Sequence, residues 1–123
     1  MFIDISKKQK GSSAYYELQF CKRAVSEQDI EKAQTEFWQE DSLYFHMDED
    51  ERFFSEYLKY FEHPLSPDGS GNFCPFGFNY YTREKTDAMI KMIEKDRPFE
   101  CDVLLPWLYK AKEQYNGFYF LGI

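Results

Sequence analysis

Phe53, Phe54, Tyr57, Leu58 and Phe61 fall at i, i+1, i+4, i+5 and i+8, one stripe of a helix with 3.6 residues per turn. No other feature constrains the chain as strongly, because five large apolar side chains along one side of a helix must be buried against another layer. Arg52, Glu56 and Lys59 lie on the opposite side, where i,i+4 and i,i+3 charge pairs each add a few tenths of a kcal/mol. The acidic run Asp48-Glu49-Asp50-Glu51 sits where the positive end of the helix dipole favours it. Before it, Leu43 to Met47 reads as a short strand. The stretch from Asp41 to His63 is therefore predicted to be a strand breaking into an amphipathic helix from about Asp48 to Glu62.

The other elements follow from the same rules. Phe2, Ile3 and Ile5, with polar residues between them, suggest a first strand ending at the basic turn Lys7-Lys8-Gln9-Lys10-Gly11. Ala14 to Cys21 (AYYELQFC) is rich in aromatics and partly alternating, which predicts a second strand as hairpin partner of the first. Ser26 is an N-cap signal, with Asp29 at the capping-box position and Val25 and Ile30 at the staple positions. Ile30, Ala33 and Phe37 continue one helical face to Trp38. Residues 63–72 hold two prolines and two glycines and are predicted to be loop. Phe73 to Tyr81 is aromatic but broken by Pro75 and Gly77, which predicts an irregular or edge strand.

Thr82 caps a helix over Arg83 to about Asp96, with Met89, Ile90, Met92 and Ile93 inward, and Arg97-Pro98 ends it. A last helix is predicted from about Asp102 to Tyr115, with Leu104, Leu105, Leu108, Ala111 and Tyr115 on its buried face. Pro106 is acceptable only in its first turn, and Asn116-Gly117 closes it. The final FYFLGI is apolar almost throughout, as expected of a strand covered on both faces. The fold class is thus α+β: a small, mainly antiparallel sheet formed by the N-terminal strands, Leu43–Met47 and the C-terminal FYFLGI, covered by about four helices. A chain of 123 residues with 20% aromatics is expected to form one compact domain with a large core.

Charge and cysteine content bound the function. Residues 1–25 carry a net +3, residues 26–68 a net −10, and the remainder balances. Such a centre repels nucleic acid and anionic membrane and attracts basic partners. No apolar run approaches the ~18 residues of a spanning helix, and the N-terminus lacks the apolar region of a signal peptide. Cys21, Cys74 and Cys101 include no C-x-x-C pair and read as free thiols of a cytoplasmic protein.

A metal site would draw on His46, Asp48, Asp50, Glu51 and His63, since His46 and Asp48 share a face on a strand and oxygen ligands suit a hard cation. The spacing matches neither H-E-x-x-H nor the calcium loop. The solvated start of a helix is the simpler reading, and no metal or cofactor is expected. Cys21 or Cys74 beside a histidine could form a nucleophile, but buried cysteines usually pack as small hydrophobes. Gly69-Ser70-Gly71 lacks the phosphate-loop pattern and is a turn. A nucleic-acid surface would use Lys7, Lys8, Lys10, Lys22 and Arg23 with Tyr15 and Tyr16 as stacking groups, a small basic footprint on a chain of pI about 4.8.

The largest anomaly is acid interleaved with aromatics. Glu36, Glu40, Asp41, Asp48, Glu49, Asp50 and Glu51, with Trp38 as anchor and Tyr44 and Tyr60 as further candidates, are predicted to form a surface for a basic protein. The expected role is binding without catalysis. The alternative is a metal-dependent hydrolase or ligand-binding domain using His46, Asp48, Asp50 and His63, and a scaffolding role would instead imply a homo-oligomer.

The segments SEQDIEKAQTEFWQEDSLYFHMDEDE and YNGFYFLGI resemble those of small uncharacterised bacterial proteins, a likeness that implies bacterial, cytoplasmic origin and supplies no functional residues. In size and acidity the chain is similar to bacterial immunity proteins and antitoxins. That similarity implies a protein that covers the active site of a cationic nuclease.

Overall fold

The apolar C-terminal run sets the layering. A computed structural model describes residues 1–22, 37–65 and 71–122. In chain order these form β1 (Tyr15–Phe20), β2 (Leu43–His46), α1 (Asp50–Phe61), β3 (Phe78–Tyr81), α2 (Arg83–Asp96), α3 (Cys101–Gln114) and β4 (Phe118–Leu121). The sheet is antiparallel with order β2-β1-β4-β3, so the FYFL strand lies inside it and all four of its residues are buried. The fold is α+β as expected: a four-stranded antiparallel sheet with three α-helices among the described residues.

One sheet face packs against the helices. Phe118 and Phe120 of β4, Tyr16, Leu18 and Phe20 of β1, Phe45 of β2 and Tyr81 of β3 join one core with side chains from all three helices. From α1 come Phe53, Tyr57 and Phe61 of the predicted stripe, with Tyr60 beside them, while Phe54 and Leu58 of that stripe are half-buried. From α2 come Met89, Ile90 and Ile93, and from α3 Leu104, Leu108 and Ala111. The rings meet in the offset-stacked and edge-on arrangements that their quadrupoles favour. Phe45 stacks on Phe53 at 4.4 Å, and Phe20 on Trp107 at 4.2 Å. On the other face Tyr80, Tyr119, Leu121 and Cys21 form a second buried cluster.

Local signals placed several boundaries. Thr82 caps α2 by accepting a hydrogen bond from the Lys85 N–H at 3.1 Å, and α2 spans the predicted Arg83–Asp96. α1 is preceded by a 3-10 turn, Met47–Glu49, which straddles the predicted boundary between strand and helix. The N-terminal prediction is corrected. Phe2 to Ile5 is no strand and no hairpin partner of β1; Ile3 makes a single bridge to Tyr44 on the edge strand β2, and Ile5–Lys7 is a 3-10 turn. Phe2 is instead drawn into the core, edge-on to Phe45, Phe53 and Tyr57, a long-range demand that alternation does not report.

The helix predicted from Ser26 lies outside the described residues up to position 36, and Trp38 is not its end: it sits at φ +68°, in the left-handed region. Met92 is exposed rather than inward. Pro106 falls in the second turn of α3 because the helix starts at Cys101. Its missing N–H leaves the Asp102 carbonyl on the exposed side, where water can satisfy it.

Entry into β4 depends on Gly117. Its φ is +82°, and a Cβ there would lie 1.9 Å from the Tyr81 carbonyl oxygen. Gly117→Ala should therefore destabilise by about 3 kcal/mol or more, since strain and collision with backbone act together. Gly11→Ala, at φ +79° with nothing within 4 Å of the added Cβ, should cost only the conformational strain of about 1–2 kcal/mol. Urea denaturation of both variants checks the contrast, and equal losses would contradict it.

Buried tyrosines add a pH dependence. Burial pushes Tyr80 up to about 12, with the nearby Cys21 thiol adding to it. Burial raises Tyr81 well above the usual phenol value, and raises Tyr57 and Tyr44, the last also through the Glu17 charge. A phenol whose folded pKa lies above its unfolded value of about 10 contributes stability that is complete below pH 10 and is lost as pH rises through the folded value. Unfolding should therefore begin between about pH 10 and 12, with tyrosinate absorbance rising in the same cooperative step as the loss of helix. Gradual ionisation with the helix intact would contradict this.

Candidate functional site

The predicted acidic surface is only partly drawn together. Asp48 and Glu51 are exposed at the approach to α1, with Glu49 and Asp50 half-buried beside them. Glu40 is exposed, Asp41 pairs with Lys22 at 2.8 Å, and Glu36 lies outside the described residues. Trp38 is half-buried and packs beside Phe37 and Tyr44. Tyr44 and Tyr60, considered as surface aromatics, are buried: the Tyr44 hydroxyl donates to the Gln39 carbonyl and the Tyr60 hydroxyl to Asp96 at 2.8 Å.

The histidines lie at opposite ends of α1. Twelve helical residues separate His46 from His63, a rise of roughly 18 Å, so the two cannot share one ion. His46 caps the 3-10 turn, its Nδ1 accepting from the Asp48 N–H at 3.0 Å. A nitrogen used as an acceptor carries no proton to share with the Asp48 carboxylate 3.3 Å away, so that contact is no ion pair. His63 is exposed at φ +64°, and its carbonyl accepts from Lys85 Nζ at 2.9 Å. Among the described residues no three His, Cys, Asp or Glu side chains are grouped so as to hold a metal. The thiols are free, with Cys21 and Cys101 buried and Cys74 exposed. Tyr15 and Tyr16 are buried and present no face for stacking a base.

A different cluster is built more completely. Glu17, on the face of β1 away from the helices, is 1% exposed. Its Oε1 accepts from the Trp38 N–H at 2.7 Å. Its Oε2 accepts from the Gln39 N–H at 3.0 Å, the Ser42 hydroxyl at 2.7 Å and Gln19 Nε2 at 3.0 Å. Four donors on one buried carboxylate replace its lost hydration. The same loop is held again at Asp41, whose carbonyl accepts from Trp107 Nε1 at 2.9 Å.

Trp38 is thus fixed on a clamped loop in a backbone conformation that costs about 1–3 kcal/mol for a residue other than glycine. Lys8 Nζ lies 4.2 Å from the centre of its ring and 5.1 Å from that of Tyr15, and donates to the Ser12 carbonyl at 2.6 Å. Between Trp38 and the turn over residues 5–13 opens a cleft of about 520 Å³ that Lys10, Ser12 and Ser13 also line.

Comparison with protein-family models, with curated proteins and with solved structures finds no match.

Sequence reasoning missed Glu17 and the Lys8–Trp38 pair. A signal for the first was present: one carboxylate inside the aromatic run AYYELQFC. Removing it by Glu17→Ala leaves two backbone N–H groups and a hydroxyl without their acceptor, and should cost about 3 kcal/mol or more. Glu17→Gln should fall between, because its amide nitrogen cannot accept from any of them. Denaturation midpoints together with the amide resonances of Trp38 and Gln39 check this. An unshifted Trp38 amide in either variant would count against the clamp.

Proposed function

We propose that this is a non-catalytic protein-binding domain whose acidic surface covers a basic protein partner, in the manner of bacterial immunity and inhibitor proteins. The supporting observation is how the charges are partnered. Several basic groups are engaged with acids within the molecule. Lys22 pairs with Asp41, Lys91 and Lys112 with Asp87, and Lys59 with Asp96. The N-terminal ammonium pairs with Glu100 at 2.7 Å, and Arg52 lies over the Phe99 ring. The carboxylates of Asp48, Glu49, Asp50 and Glu51, by contrast, meet no cationic side chain among the described residues, and the Asp48 side chain is 87% exposed. Their negative field therefore extends into solvent, where it accelerates encounter with a cationic surface.

The anchor of this surface is assigned to the acids and not to Trp38, whose ring lies against Lys8 and lines a cleft with it. Among the described residues no helix is long and apolar enough to cross a membrane. The free thiols fit the cytoplasmic setting of this reading.

The test is charge reversal. The immobilised protein is exposed to lysate at low salt, the bound protein is eluted by a salt gradient and purified, and its association rate is measured against both forms. Asp48→Lys with Asp50→Lys should slow association about tenfold or more while thermal stability changes little. An unchanged rate, or the absence of any stoichiometric partner, would remove the reading.

A further inference from the structure

We propose that the cleft between Trp38 and the turn over residues 5–13 binds a small organic phosphate, its anionic group held by Lys8 and Lys10 and its apolar body lying along Ile5 and Trp38.

Charge supports the choice of an anion. The chain carries a net −7, yet the residues lining this cleft include two lysines and no acid. Lys8 is half-buried and has no carboxylate partner among the described residues; two aromatic rings and the Ser12 carbonyl hold it in place. The faces of aromatic rings attract a cation without neutralising it. Its ammonium has three N–H donors and the Ser12 carbonyl takes one, so donors remain for a ligand. A phosphate oxygen offers what these supports lack, a full negative charge and several acceptors.

The turn supplies further donors. Gly11, at φ +79°, lets the chain reverse. The backbone N–H groups of Lys10, Gly11 and Ser13 donate to no protein acceptor among the described residues, while those of Ser12 and Ala14 close the turn onto Gln9 and Ser12. Successive free N–H groups in a turn form a concavity suited to anions. The side-chain hydroxyls of Ser12 and Ser13 flank the same cleft.

The site is preorganised. The turn is held on one side by the Ile3–Tyr44 bridge, at 2.8 Å in both directions, and on the other by the Gln9 N–H donating to the Tyr15 hydroxyl at 3.0 Å. The opposite wall is held by the Glu17 clamp. Left-handed backbone at Trp38 is the kind of local strain that concentrates at binding sites. A volume of about 520 Å³ lies within the range of small-molecule pockets. Ile5 and the indole give the apolar surface that separates an organic phosphate from the bare ion.

Phenyl phosphate is the probe, with inorganic phosphate and phenol as its two halves. Titrations of the full chain are followed by amide spectra, with the Trp38 indole signal assigned from Trp38→Phe. Phenyl phosphate should saturate and shift the Trp38 indole together with the Lys10, Gly11 and Ser13 amides. Inorganic phosphate should bind the same amides more weakly, and phenol should not bind. Lys10→Gln, at an exposed position, should weaken phenyl phosphate about tenfold, and Lys8→Met should weaken it at least as much. No saturation in the millimolar range, shifts elsewhere with these amides unmoved, or unchanged affinity in Lys10→Gln would overturn the site. Phosphate binding as tightly as phenyl phosphate, or phenol competing with it, would overturn the assignment of the ligand.

Discussion

Phe120 is the ring on which the rest of the core is assembled. Within about 6 Å, centre to centre, it meets Tyr16 and Phe45 from the sheet, Phe53 and Phe61 from α1, and Phe73 from the segment before β3. It can do so only because β4 lies inside the sheet, paired to β1 on one side and β3 on the other. The requirement for a side-chain-free residue at Gly117 is part of the same constraint, since the strand enters hard against the Tyr81 carbonyl. β1 and β3 share only β4 as a neighbour, and β4 follows both in the chain, so the sheet cannot close until β4 is in place.

The second sheet face follows a different logic. Toward the helices the sheet is almost wholly apolar, but Glu17 and Gln19 stand on the reverse face and are buried as deeply as the phenylalanines. Burying a carboxylate is favourable only when its hydration is replaced donor by donor, and the loop 38–42 brings three of the four donors. Glu17 therefore determines where a loop goes more than how stable the sheet is. Asn79 serves the same purpose on β3, binding both the N–H and the carbonyl of Cys74 at 2.7 Å and the Phe120 carbonyl at 3.2 Å. Two buried polar side chains thus hold irregular segments that no ladder could hold.

Elements whose causes are local were legible in the sequence. The stripe of α1, the Thr82 cap of α2 and the unbroken apolarity of β4 each act within a few residues, and each was found at or near its predicted place. What was not legible depends on partners far along the chain. Phe2 leaves its alternation for the core because Phe45, Phe53 and Tyr57 offer it rings. Trp38 takes a left-handed conformation because a carboxylate 21 residues earlier accepts its N–H. For the same reason the sequence singled out the acid run, a pattern of neighbours, and named Lys8 and Trp38 only for separate surfaces, not as the pair that they become through Glu17.

The two proposed surfaces have opposite signs, and that bears on how each responds to salt. An acid run facing solvent loses its reach as the Debye length falls to about 8 Å at physiological ionic strength, so steering of a basic partner weakens. The cleft experiences two opposing effects. Salt screens the attraction of Lys8 and Lys10, but it also screens the repulsion that a chain of net −7 exerts on an approaching anion. Contacts inside a half-buried cleft are screened less than the long-range field outside it. The affinity of the cleft for an anion should accordingly fall with salt less steeply than its lysines alone imply, whereas association at the acid run should fall steeply. One protein examined over one range of ionic strength therefore separates the two surfaces without any substitution, because their electrostatics differ in depth as well as in sign.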